Sequence, residues 1–374
     1  MARSALGMAA DPRVRRLERS DIPQVCDLFA LTFRPGRKVR REDVEACLAR
    51  TYLSAPGDLI RPASLVDVGP AGEINGFMGI VTLAARFGDR PMRGGILGNF
   101  MATEGQRARA ALRLSRATVA HDLDFLFSDT ANRTSLDLSC AFGFETVPLH
   151  SLAWIKLLRP CETASFMAGR SLPMVGASLA PLARWGDRLA GRLAFVSLPE
   201  PAERGLADRP VMPSAFAAQA RALVERFRFR PDWRDDEFSW LFDQAKLKSR
   251  NGTLQAREVL DRKGRTIGLY LLYARRGGVA QALQVLSEPR CEGGVLGALI
   301  RHAAAIGAVA IKGQASPGLV NGLIRQPGIV YHHAAAAIAF SRHPELRETF
   351  LSDGAFLGGL MGESWTRLMA DEFA

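Results

Sequence analysis

Histidine and cysteine are both scarce in this chain of 374 residues, which holds 6 and 5 of them. The cysteines (Cys26, Cys47, Cys140, Cys161 and Cys291) are odd in number and scattered, with no C-x-x-C pair and no histidine at ligand spacing. That arrangement excludes a disulfide framework, offers no metal site, and suits a reducing compartment. A long apolar run is also missing. The opening "MARSALGMAADPRVRR" lacks the apolar core of a secretion signal. The most apolar later stretch, "SLPMVGASLAPLARW", is broken by Pro173, Pro181 and Arg184 and is too short to cross a bilayer. A cytoplasmic location without an integral membrane segment is therefore expected. No basic arm occurs either. Lys+Arg 49 against Asp+Glu 38 gives a net charge of +11, but the arginines are dispersed along the chain. The excess favours an anionic partner. No groove-reading or base-stacking motif accompanies it, so nucleic acid is not the expected one.

With 48% hydrophobic and 23% charged residues the chain has the make-up of a globular protein with real cores. Its length suggests two domains. A short polar tail (1–13) precedes "VRRLERSDIPQVCDLFALTF", a strand and then a helix whose apolar face is Ile22, Val25, Leu28, Phe29 and Phe33. A second helix, "REDVEACLARTYL", leads into a three-strand meander, a helix over 107–121, the strand "DLDFLFSD", the helix "NRTSLDLSCAF" and a final bent strand or strand pair, "ETVPLHSLAWIKLL". These elements make residues 14–160 one α/β domain. Residues 161–212, rich in proline, alanine and arginine, read as a helical linker with an amphipathic piece around Leu179–Phe195. From 213 to 374 the order starts again: two helices, three strands, helix, strand, helix, strand. The repeated order is the main architectural signal.

This order resembles that of the GNAT acyltransferase superfamily, and the first half carries residues to match. The family opens the helix after its fourth strand with Q/R-x-x-G-x-G/A, whose amides hold the pyrophosphate of an acyl-CoA. Residues Gln106, Arg107, Ala108, Arg109, Ala110 and Ala111 stand there: Gln106 and Ala111 agree, and Arg109 replaces the central glycine. The family's N-x-x-A-x-x-x-Y-x-x-x-G-F pattern is matched in spacing by Asn132, Ser135, Ser139, Gly143 and Phe144. The resemblance implies an α/β fold of two GNAT-like domains, each a mixed, mostly antiparallel sheet flanked by helices, the second copy degenerate. It implies transfer of an acyl group from an acyl-CoA or acyl-carrier protein to an amine on a small molecule or peptide. Acyl-CoA would be a co-substrate, with no permanently bound cofactor. Asn132 would contact the pantetheine arm, and the backbone at Phe100, Met101 and Ala102 would pair with its amides like an added strand. Ser139 stands where the family often has the tyrosine that protonates the leaving thiolate. A serine is shorter and less acidic, so that acid is absent, replaced by water, or supplied elsewhere. Without catalysis, the same residues describe a GNAT-fold protein that binds a ligand or serves assembly. The oligomeric state is left open.

Each further candidate has a functional and a structural reading. Asp129, at the end of the fifth strand, would act as base or hold the acceptor's ammonium, or else cap the next helix. His150 has a pKa suited to proton transfer, or is a satisfied structural histidine in mid-strand. Asn99 faces the acceptor or satisfies a bulge. Cys140 reads as an inert buried thiol. Arg109, Arg113 and Arg116 share one helix side. Arg109 would grip phosphate in place of the lost glycine or be solvated; Arg113 and Arg116 read as a solvated face. His332 and His333 are neighbours on a strand and point to opposite faces, so they cannot share an ion.

Overall fold

The computed structural model describes residues 11–57, 61–171, 183, 187, 206–368, 371 and 373. Strand β1 (Val14–Arg16) leads to helix α1 (Ile22–Phe33) and helix α2 (Arg41–Leu53). In α1 the residues Ile22, Val25, Cys26, Leu28 and Phe29 are buried, the stripe its helical spacing demands. In α2, Val44, Cys47, Leu48, Thr51 and Tyr52 recur at helical spacing and are buried, which carries the Tyr52 ring inward from an otherwise polar helix. Strands β2 (Leu65–Val68), β3 (Ile74–Phe87) and β4 (Arg90–Ala102) form the meander. β3 and β4 turn tightly at Gly88, whose φ of 59° needs a residue without a Cβ. Helix α3 (Arg107–Val119), β5 (Phe125–Ala131), α4 (Arg133–Ala141), β6 (Glu145–Thr146) and β7 (Leu152–Leu157) complete the first half. Between β6 and β7 the chain makes a 3₁₀ turn at Leu149–Ser151. His150 therefore lies in a turn between two strands, not in mid-strand.

Helix α5 (Pro160–Ser171) follows. The amphipathic stretch expected around Leu179–Phe195 lies outside the described residues, apart from Ala183 and Asp187. Then come β8 (Ala207–Pro210), α6 (Pro213–Val224), β9 (Phe229–Pro231), α7 (Asp235–Lys246), β10 (Thr253–Leu260), β11 (Thr266–Ala274) and β12 (Val279–Ser287). Helix α8 (Glu292–Ala305), β13 (Ala310–Gln314), α9 (Val320–Ile324), β14 (Ile329–His333), β15 (Ala336–Ser341) and α10 (Pro344–Phe350) end the regular structure.

Two mixed sheets flanked by helices result. One runs β1-β2-β3-β4-β5-β15-β6, with β9 added against β3; the other runs β14-β7-β13-β12-β11-β10-β8. Each contains one parallel pair, β4 with β5 and β12 with β13, and both pairs are brief. β4 and β5 are in register only from Gly94, Gly95 and Ile96 to Phe125, Leu126 and Phe127. Beyond that point they splay.

The last strands are exchanged. β7, from the first half, sits between β13 and β14, while β15, from the second, sits between β5 and β6. The boundaries at 160 and 213 read from element order thus do not coincide with the sheets. A single apolar core joins both halves, from Val25, Phe77 and Phe125 to Leu269, Tyr273 and Leu283. The segment after α10 runs through it: Ala355, Phe356, Leu357, Leu360, Met361 and Trp365 are all buried. It crosses the β12 side first, where Gln284 Oε1 accepts the Leu360 N–H at 3.1 Å. It then enters the opening between β4 and β5.

Candidate active site at the strand splay

Side chains from five segments meet where β4 and β5 part. β5 contributes Ser128, Asp129 and Thr130, β4 contributes Gly98 and Asn99, and α2 contributes Tyr52. The segment after α10 contributes Glu363, and Lys248 comes from the turn after α7. The Ser128 hydroxyl donates to Glu363 Oε2 at 3.2 Å, and the Thr130 hydroxyl donates to the same oxygen. The Glu363 backbone N–H donates to Asp129 Oδ1 at 3.0 Å. Asp129 Oδ2 is buried and has no hydrogen-bond partner among the described residues. Glycine is required on both sides: a Cβ at Gly98 would overlap Glu363 Oε1, and one at Gly362 would overlap the Asp129 carboxyl.

Asn99 sits at an irregularity of the β3–β4 ladder, with φ 52°, a conformation rare outside glycine. Its Nδ2 donates to the Tyr52 hydroxyl oxygen at 2.8 Å. Asn99 thus occupies a bulge, as one of its two readings expects, and its amide is spent on the Tyr52 hydroxyl.

Burial sets the electrostatics. Asp129 is 6% and Glu363 4% exposed, so neither carboxyl is hydrated. Desolvation, and then the neighbouring Asp129, push Glu363 up to about 8. Burial also raises Asp129, and Tyr52 is held well above the usual phenol range by burial and by Glu363. Two carboxyls in one dry site cannot both ionise cheaply, so near neutral pH the pair retains a proton. Lys248 donates to the Ser364 carbonyl at 2.8 Å; burial and Lys312 push it down to about 8. The cluster can therefore take up and release protons close to neutrality.

Neither a protein-family model nor a curated relative matches the sequence. Solved structures do. A conserved protein of unknown function from Enterococcus faecalis V583, described as a probable N-acyltransferase, superposes with a TM-score of 0.56 at 9% identity, over 88% of this chain and 72% of that one. A GCN5-related N-acetyltransferase from Kribbella flavida gives 0.54 at 14% identity, over 87% and 70%. Another, from Anabaena variabilis ATCC 29413, gives 0.53 at 11% identity, over 87% and 71%. The chain has the GNAT fold.

On the GNAT fold the remaining candidates fall into place as follows. Asp129 does not cap α4. Asn132 does, its Oδ1 accepting the Ser135 N–H at 2.9 Å, with the side chain exposed. Ser139 lies in the last turn of α4, and no hydrogen bond ties its hydroxyl to Asp129, Asn99 or Glu363. His150 is 2% exposed, neither ring nitrogen has a partner among the described residues, and burial pushes it down to about 4. It is a neutral ring, and its backbone carbonyl accepts from Gln314 Nε2 at 2.6 Å. Phe100, Met101 and Ala102 continue β4 beyond the splay, with Met101 and Ala102 buried.

The loop before α3 is tighter than a row of open amides. A 3₁₀ turn at Glu104–Gln106 directs the Gln106 N–H to Thr103 O at 3.1 Å and the Arg107 N–H to Glu104 O. Arg107, Ala108 and Arg109 are exposed, whereas Ala110 and Ala111 pack inward. Arg109 and Arg116 are exposed, but Arg113 is not part of a solvated face: its Nε donates to Asp67 Oδ1 at 2.6 Å, under the helix. Cys140 is exposed, not buried. His332 and His333 lie on β14 and are exposed. Among the described residues there is no group of three or more His, Cys, Asp or Glu fit for a metal ion, and no helix is long and apolar enough to cross a membrane.

Tyr52, Glu363 and Lys248 escaped the sequence reading. They lie far from β5 in sequence and belong to no local motif. The usable signal for Tyr52 was its scarcity, as one of only 4 tyrosines, on the apolar face of a helix.

Proposed function

We propose that this protein is an N-acyltransferase that moves an acyl group from the thioester of an acyl-CoA or acyl-carrier protein to an amine by direct attack. The observation that carries the reading is the buried Asp129–Glu363 pair beside Tyr52 and Asn99 at the strand splay of a GNAT fold. In this reading the acceptor's ammonium gives a proton to the carboxyl pair. The freed amine nitrogen attacks the thioester carbonyl carbon, the C–S bond breaks, and the nitrogen's surplus proton passes by way of Tyr52 to the departing thiolate, which leaves as a thiol. Tyr52, kept protonated by burial and placed beside the pair, stands in for the tyrosine missing at Ser139 and regains from the nitrogen the proton it gives to sulfur. The exposed Arg109 side chain and the amides of Ala108 and Arg109 hold the donor's phosphates, with Asn132 and β4 beyond Asn99 along the pantetheine.

A second reading is favoured by two observations. Glu363 and Asp129 are shut away from water, and two loop amides are already used by the 3₁₀ turn. On that reading the carboxyl pair anchors the C-terminal segment, and the chain is a non-catalytic GNAT-fold binding protein.

Thermal unfolding with CoA, acetyl-CoA and longer acyl-CoAs tests donor binding, and turnover of the bound donor separates the two. The enzyme reading expects a rise in Tm of several degrees at about a hundred times Kd, where linkage supplies ~2.7 kcal/mol. Arg109→Glu should diminish the rise and Asn132→Ala reduce it. No rise with any donor would defeat the donor-binding reading. Tyr52→Phe should lower kcat by about 10² or more while leaving the KM for the donor nearly unchanged, as expected when a proton donor to the leaving group is lost. An unchanged kcat would remove Tyr52 from the chemistry.

A further inference from the structure

The two sheets end in four outer strands, and among the described residues three of them are poor templates for another chain. β1 is three residues long and reads Val14-Arg15-Arg16, and β6 has only two residues. β8 carries Asp208, Arg209 and Pro210 in its four. Short length, charge and proline are the means by which sheet edges avoid pairing with one another. β14 has none of them. Its five residues, Ile329, Val330, Tyr331, His332 and His333, include no proline, lysine, arginine or carboxylate, and four of the five are exposed. Val330 is 57% exposed, and Ile324, at the end of the helix that leads into the strand, is 69% exposed.

The direction of the open backbone groups follows from the neighbouring strand. The Ala315 N–H donates to the Leu152 carbonyl at 2.8 Å, and the Leu158 N–H donates to the Val309 carbonyl at 3.0 Å. Both bonds run between β7 and the β13 side, so the even-numbered residues of β7 turn their backbone groups that way. Direction alternates along an antiparallel strand, so Ala153 and Ile155 turn theirs to β14. Their partners there are His332 and Val330. Ile329, Tyr331 and His333 therefore hold their N–H and C=O groups outward, where no strand pairs with them among the described residues.

That row is self-complementary. About a two-fold axis at Tyr331, an antiparallel second copy of β14 sets Tyr331 against its own counterpart, Ile329 against His333 and Val330 against His332. Every outward residue then meets an outward residue, and about six backbone hydrogen bonds close. Each β-branched side chain faces an imidazole across the join, a pairing of the kind that stabilises sheets. The apolar layer is continuous as well. Ile329 and Leu152 pack against the core that holds Trp154, and Trp154 is the registered neighbour of Tyr331. That core reaches the edge, where Tyr331 is left 39% exposed. A net charge of +11 repels copies of the chain from one another over much of their surface. β14 is a stretch of edge without that charge, and its registered neighbour Lys156 is buried and bonded to the Pro327 carbonyl at 2.6 Å.

We infer that β14 is a dimerisation edge, through which two copies of this chain join, antiparallel and two-fold, into one continuous sheet. Such an interface presents the same strand from both sides and closes at two. So short a strand buries little area, and the dimer is weak and exchanging. The inference does not rest on acyl transfer, because β14 holds none of the residues at the strand splay.

Sedimentation velocity of the full chain from about 5 to about 500 µM should show a reversible monomer–dimer equilibrium with a micromolar Kd. Val330→Lys puts a charge on the edge and should weaken the dimer at least about tenfold. Tyr331→Pro removes an outward N–H and none that faces β7, and should do the same. Unchanged far-UV circular dichroism checks that both variants keep the fold. The register is tested in a Cys140→Ser background, since Cys140 is exposed. There Tyr331→Cys should give a covalent dimer on mild oxidation, because the paired Cα atoms would lie about 5.5 Å apart, within disulfide reach. Leu351→Cys, 53% exposed and outside β14, should not. The inference falls if the chain is monomeric over the whole range, if both edge variants dimerise undiminished, if assemblies grow beyond two, or if Tyr331→Cys does not cross-link.

Discussion

Glu363→Gln should lower the rate of acyl transfer by about 10²–10⁴, the span associated with a lost general base. The substitution keeps the shape of the side chain and its acceptance of the Ser128 and Thr130 hydroxyls. It removes only the capacity to take a proton. In the parent protein kcat/KM should climb as pH rises through about 8, where Glu363 ionises. In the variant that limb should flatten. Stability should move with the opposite sign. Glu363 has a folded pKa above its ordinary value, so its favourable contribution is complete below the usual glutamate range and is lost as pH rises through about 8. The groups facing it are Asp129, Tyr52 and Lys248. Of these, Asp129 adds to the trend, since burial raises it too. Glu363→Gln should therefore gain Tm relative to the parent at pH 9 and show little difference at pH 5. If activity and its pH profile are unchanged in the variant, Glu363 is not the base and the anchoring role stands alone.

Arg113→Ala should be among the most damaging single changes outside the hydrophobic core. Asp67, on β2, is fully buried, and both its carboxylate oxygens are engaged by the Arg113 guanidinium. Removing the arginine leaves a buried charge without compensation, which costs about 3–5 kcal/mol. Removing both partners should cost less than removing Arg113 alone, because the orphaned charge disappears as well. Equilibrium urea unfolding of Arg113→Ala, Asp67→Asn and the double variant closes the cycle. A loss below about 1 kcal/mol in Arg113→Ala would mean that the pair behaves like an exposed one. The charge proposed to hold phosphate is kept in this variant, since Arg109 is one turn earlier and exposed.

What the sequence made legible follows from locality. The periodicity of Ile22, Val25, Leu28 and Phe29 set α1, and the repeated element order anticipated two sheets of similar build. Asp129 and Asn99 could be placed near the splay because both lie beside the strands that form it. Arg113 was misread as solvated because nothing local reveals that Asp67, on a strand well before it, lies under its helix. Exposed Cys140 was misread because α4 buries few of its side chains. Glu363 was invisible for a stronger reason: its position depends on a segment threading between two sheets, and no period or spacing encodes that. The strand exchange was hidden in the same way. An apolar strand such as "AAIAFS" satisfies either sheet equally well, and only the assembled fold decides which one it joins.

That exchange bears on how the chain is made. As the polypeptide leaves the ribosome, β5 is exposed long before its partner exists, because β15 is synthesised about two hundred residues later. β7 waits likewise for β13 and β14. Neither sheet can close until synthesis has passed β14 and β15, so the two halves must settle together. β15 completes the first sheet, and the segment that follows it places Glu363 in the opening. Only a chain translated past Glu363 can hold that carboxyl beside Asp129.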